Sequence, residues 1–117
     1  MGRGPRQDDV AIAVTEVVFE PEAEVDALDA FAWYEGHRVG LGLLFRNAIE
    51  TALERIAREP LAFPIQHRDL RRVFVERFPY AIYFRVYPDV VAIVAVMHGR
   101  RDPRIWQERP RRGLTPR

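Results

Sequence analysis

His98 is the side chain best suited to exchange a proton near neutral pH, because an unperturbed imidazole titrates closest to it. It opens the string His98-Gly99-Arg100-Arg101, so two guanidinium groups follow closely. Arg77 offers a further cation, and Tyr83 an aromatic face with a phenol. A base, cations and a stacking ring are what RNA cleavage through the 2′-hydroxyl requires. The hydroxyl proton must be removed, the crowded phosphate needs positive charge, and the departing oxygen needs an acid. The plainer alternative for His98 is a strand-end histidine bonded to backbone. His37 and His67 are far from it in sequence and in other elements, so no metal-ligand constellation forms. No motif calls for a cofactor.

The net charge of +1 conceals an uneven distribution. Residues 1–60 carry 6 Arg against 12 acidic residues, a balance of −6, whereas residues 61–117 carry 12 Arg against 5, a balance of +7. A basic C-terminal half suits an acidic or phosphate-rich partner. All 18 basic residues are Arg, a bias that base composition explains as readily as function does. The chain has no cysteine, which excludes a disulfide framework and cysteine zinc sites. The longest apolar run, Val90 to Met97, is far short of the ~20 residues that cross a bilayer. The polar first residues lack the apolar core of a signal peptide. A cytoplasmic protein with no membrane association is expected.

The elements that must position these groups follow from periodicity. Residues 1–9 and 110–117 read as loose tails around one domain, 10–109. Val10 to Phe19 is apolar and β-branched enough for a strand. Pro21, followed by Glu22, Glu24 and Asp26, suits the first turn of a helix. Val25, Leu28, Phe31 and Ala32 mark its expected buried face, widened by Ala27 and Tyr34, and Gly36 to Gly40 breaks it. Leu41, Leu44, Phe45, Ala48, Ile49, Ala52, Leu53 and Ile56 form the stripe of a second helix, which Pro60 ends. The period then switches to two over Leu70 to Glu76, Tyr80 to Val86 and Val90 to Met97. Short connections make these three strands an antiparallel meander. The fold expected is α+β in the order β-α-α-β-β-β, a helical hairpin packed on a small antiparallel sheet.

Alternation along Tyr80 to Val86 places Tyr80, Ile82, Phe84 and Val86 under the helices and Ala81, Tyr83 and Arg85 on the outer face. The last strand is apolar on both sides, with Val90, Ala92, Val94 and Val96 on one and Val91, Ile93, Ala95 and Met97 on the other. Its second side needs a cover. Either the C-terminal residues around Ile105 and Trp106 fold back over it, or a separate polypeptide lies there, which is the reading preferred. Trp33, Tyr34 and Trp106 are expected to pack the core and its lid.

Several strings, in order, resemble the RelE/ParE toxin superfamily over about residues 15 to 109. They are Trp33-Tyr34-Glu35, Gly40-Leu41-Gly42 with Phe45, Ile56 with Pro60, Leu70-Arg71-Arg72, Arg77-Phe78-Pro79-Tyr80 with Ile82 and Tyr83, and His98-Gly99-Arg100-Arg101-Asp102-Pro103 with Trp106. The likeness is closest to the ParE-like plasmid-stabilisation branch. It implies the toxin of a type II toxin–antitoxin system, held by a cognate antitoxin in a hetero-oligomer, with the antitoxin wrapping the toxin. On this reading Tyr83, Arg85, Arg71, Arg72 and Arg100 would meet the partner.

The resemblance implies two modes of action. ParE-like relatives bind and inhibit DNA gyrase, whereas RelE-like relatives cut mRNA on the ribosome without a metal. For the second mode the catalytic set would be His98, Arg77, Arg101 and Tyr83. RNA-cutting relatives commonly use lysine, absent here, and often carry Tyr-Arg where this chain has Tyr80-Ala81. Protein binding is therefore preferred, with ribonuclease action as the alternative. A degenerate toxin that retains only antitoxin binding is the third reading, and the sequence leaves the enzyme question open.

Overall fold

The computed structural model of the protein describes residues 15–110. The elements run β1 (Glu16–Phe19), α1 (Pro21–His37), α2 (Leu41–Arg58), a 3-10 turn (Pro60–Ala62), β2 (Ile65–His67), β3 (Leu70–Phe74), β4 (Tyr80–Val86), β5 (Val90–His98) and α3 (Pro103–Gln107). The sheet order is β1-β5-β4-β3-β2, with β1 parallel to β5 and the other pairs antiparallel. The hairpin on a largely antiparallel sheet is as expected. The short strand β2 and the short helix α3 are additions, and the parallel pairing of β1 with β5 makes the sheet mixed. The expected start of the first strand at Val10 lies outside the described residues. So do the expected tails, apart from Pro110. Among the described residues no helix is long and apolar enough to cross a membrane.

Pro21 opens α1 at a position where its missing N–H costs nothing, and Glu22 and Glu24 sit in the first turn. The join to α2 is built by Glu35, whose carboxylate accepts from the backbone N–H of Gly40 (2.9 Å) and Gly42 (2.9 Å). Orphan amides at the start of α2 are thus satisfied by a side chain of α1. Gly40 has φ +92°, and a Cβ on Gly42 would come within 2.9 Å of the Phe31 carbonyl oxygen, so both positions need glycine.

The main core lies between the hairpin and the sheet. Phe45, Ile49, Ala52 and Ile56 of α2 meet Ile82 and Phe84 of β4 and Val91, Ile93 and Val96 of β5. From α1 the buried residues are Ala23, Ala30 and Tyr34, not the expected Val25, Leu28 and Ala32, which are exposed. Small alanines let α1 lie close to the sheet, so its larger apolar residues end up on the outside. Leu44 of α2 is likewise exposed.

Candidate functional site

The outer face of the sheet is where the structure departs most from expectation. A β-bulge in the pairing of β4 with β5 sets Tyr83 opposite Ala95 and Phe84 opposite Ile93, leaving Val94 as the extra residue. Strict alternation along β5 therefore fails. Val91, Ile93 and Val96 face the helices, while Val94, Ala95 and Met97 join Leu70, Ala81, Tyr83 and Trp106 in a second core.

That second core is sealed by the chain itself. Asp102 caps α3 by accepting from Arg104 N–H at 3.0 Å and pairs with the Arg104 guanidinium at 2.7 Å. These hydrogen bonds hold the Asp102 carboxyl below the usual carboxylate range. Pro103 then starts the helix, and Trp106 stacks on Tyr83 with centroids 4.0 Å apart and planes 15° apart. Beyond the helix, Arg109 pairs bidentately with Asp26 of α1 at 2.6 and 3.1 Å and donates to the Val94 carbonyl at 2.9 Å. Asp26 also accepts from Val96 N–H at 3.0 Å. Two β5 groups at the bulge, past the end of β1 pairing, are thus satisfied by one ion pair.

The expectation of an outer face left bare for a second polypeptide is corrected accordingly. Tyr83 is 5% exposed beneath Trp106. Arg85 is 6% exposed, donating to Asp69 at 3.1 Å and to the Arg109 carbonyl at 3.1 Å. Both residues are occupied within the chain, and Arg85 ties the C-terminal segment to the β2–β3 turn. Arg71 is similarly engaged, donating to the Phe63 carbonyl at 2.6 Å and anchoring the loop after α2. Arg72 lies over the exposed Phe74 ring, 4.6 Å from its centroid, and Arg100 is exposed.

The residues proposed for RNA chemistry do not share one site. His98 and Arg101 line a groove of about 490 Å³ between α1 and the end of β5, together with Asp26, Asp29, Trp33 and Tyr80. Arg77, held at φ +71° in the β3–β4 turn, lines a different groove with Leu44, Asn47 and Phe78. Tyr83 is on the far face of the sheet, under Trp106. His98 is fixed as a strand-end histidine: its Nδ1 accepts from Arg100 N–H at 3.0 Å, which leaves Nε2 to carry the ring proton. Burial raises the Tyr80 phenol above its ordinary value, countered in part by Arg101 and reinforced by Asp26. A phosphate entering the groove would meet the Asp29 carboxylate as well as Arg101.

Sequence reasoning found His98 and Arg101 but not Asp26, Asp29 or Tyr80 beside them. No local signal joins α1 to the end of β5. Trp33, expected in the core, is exposed and stacks on His37 with centroids 3.8 Å apart. Tyr34 and Trp106 are buried as expected.

Comparison with known proteins places this architecture. Residues 17–103 match the family described as ParE toxin of type II toxin-antitoxin system, parDE. The chain is similar to Toxin ParE2 of Mycobacterium tuberculosis, strains CDC 1551 / Oshkosh and ATCC 25618 / H37Rv. In each it is 26% identical over 81 residues, 68% of this chain and 77% of the relative. It also resembles a solved structure described as the chromosomal ParDE TA system from P. aeruginosa, with TM-score 0.65 and 16% identity, covering 74% of this chain and 97% of that one. At that identity the likeness concerns the fold. With the family profile spanning most of the chain, the protein belongs to the ParE toxin family of type II toxin–antitoxin systems.

Proposed function

We propose that this toxin acts by binding a protein target, DNA gyrase, and not by cutting RNA. The reading is supported chiefly by the dispersal of the residues that RNA cleavage would need. Only His98 and Arg101 share a groove, Arg77 lines another, and Tyr83 is stacked beneath Trp106. General acid–base catalysis needs the groups within hydrogen-bond reach of one reacting phosphate. A target-binding toxin has no such need. The gyrase target is what the ParE-like resemblance implies.

The test is to run two assays on one preparation. Purified toxin should block DNA supercoiling by gyrase and leave ribosome-programmed mRNA intact. Cleaved mRNA with undisturbed supercoiling would establish the ribonuclease alternative. Inactivity in both assays, with antitoxin binding retained, would identify a degenerate toxin.

A further inference from the structure

We infer that the cleft beside the β2–β3 turn binds a small oxyanion, a phosphate group gripped by Arg85 and Arg68. The inference stands apart from the choice of cellular target.

Arg85 is the one arginine buried among the described residues, 6% exposed within β4. Its Nε donates to Asp69 and its Nη2 to the Arg109 carbonyl. Nη1 is buried and has no hydrogen-bond partner among the described residues. A charged donor taken out of water and left unpaired is costly, so a native site ordinarily supplies an acceptor.

The missing acceptor has room to enter. Arg85 lines a cleft of about 670 Å³ with His67, Arg68, Asp69, Glu108 and Arg109. Its unfilled groups are mainly donors. Asp69 is held by Arg85 Nε at 3.1 Å, and the Arg109 guanidinium is turned to Asp26 at 2.6 Å. Arg68 is exposed at the turn and forms no ion pair among the described residues. Glu108, also exposed, keeps its carboxylate in water at the rim. Nη1 is sealed from bulk water, so entry requires a cleft side chain to turn aside, as exposed Arg68 and Glu108 are able to do. A ligand that bonds both guanidinium groups must accept through more than one oxygen, because they come from different elements. Phosphate meets that need, and arginine suits it through charge-assisted bonds.

Isothermal titration of the full chain with inorganic phosphate, at ionic strength matched by sodium chloride, tests the site. Adenosine 5′-monophosphate, titrated alongside, tells a free ion from a phosphate carried on a nucleotide: tighter nucleotide binding supports the second source, equal or weaker binding the first. Arg68 holds φ +56°, a backbone region that favours glycine. Arg68→Gly should therefore fold at least as well as the wild type. It should nonetheless weaken phosphate binding about tenfold, the worth of one hydrogen bond to a charged group. Arg85→Lys, its fold checked by circular dichroism, keeps the charge but loses the fork and should weaken binding by a similar factor. Glu108→Gln removes the rim carboxylate and should tighten binding about threefold, as for a screened surface charge. Phosphate that binds no better than chloride overturns the inference. So does phosphate binding that Arg68→Gly and Glu108→Gln both leave unchanged, which would mark an adventitious ion elsewhere on the surface.

Discussion

The two faces of the sheet are closed by very different means. On one side, two helices spanning Pro21–His37 and Leu41–Arg58 lay Tyr34 and Phe45 against Phe78 of the β3–β4 turn and Tyr80 of β4. On the other, the five residues of α3 supply one ring, Trp106, and the segment is held down by polar ties from Arg109 and Arg85. The first face is closed by hydrophobic area that would hold without any particular hydrogen bond. The second depends on a few directional contacts around a single stacked pair. The comparison teaches that a doubly apolar strand need not signal a partner when a short, well-anchored tail can do the covering.

The inequality should appear in stability. Phe45→Ala removes a fully buried ring from the hairpin side, and should cost about 3–5 kcal/mol, measured by urea denaturation, with helical signal lost along with the rest of the fold. Trp106→Ala should cost less, about 2–3 kcal/mol, because a five-residue helix can relax into the space left. Its mark should be qualitative: near-ultraviolet circular dichroism from the Tyr83 stack disappears while far-ultraviolet helicity stays. Equal losses from the two substitutions, both cooperative, would break the distinction. Asp26→Asn keeps an acceptor for Val96 N–H but removes the charge facing Arg109, and should cost about 1–2 kcal/mol after allowance for partial solvent screening. Thermal unfolding of wild type and variant side by side measures it. Limited proteolysis beyond α3 should accelerate in the variant, and an unchanged digestion pattern would show that the ion pair does not hold the segment down.

Much of the first face was legible in the sequence, because it rests on short-range patterns. The stripe of α2, the proline at the start of α1 and the alternation of β4 each state which side is buried. The second face was not, for two physical reasons. A bulge at Val94 shifts alternation by one residue, and nothing in Val90 to Met97 marks where it falls. The cover is made by pairs far apart in the chain, Trp106 with Tyr83 and Arg109 with Asp26. The start of α3 did leave a local signal in Asp102-Pro103, a capping residue before a helix-opening proline. The buried side of α1 is not legible from side-chain bulk. Here alanines were buried, and Val25 and Leu28 faced out.

The account centres on a toxin that acts without an RNA-cutting centre. Its most direct test is growth arrest after induction of His98→Ala with Arg101→Ala, the two residues that do share a groove. A folded double variant should still arrest growth, with cellular mRNA intact at early times in both variant and wild type. Loss of arrest by the variant, alongside mRNA cut promptly by the wild type, would contradict the account.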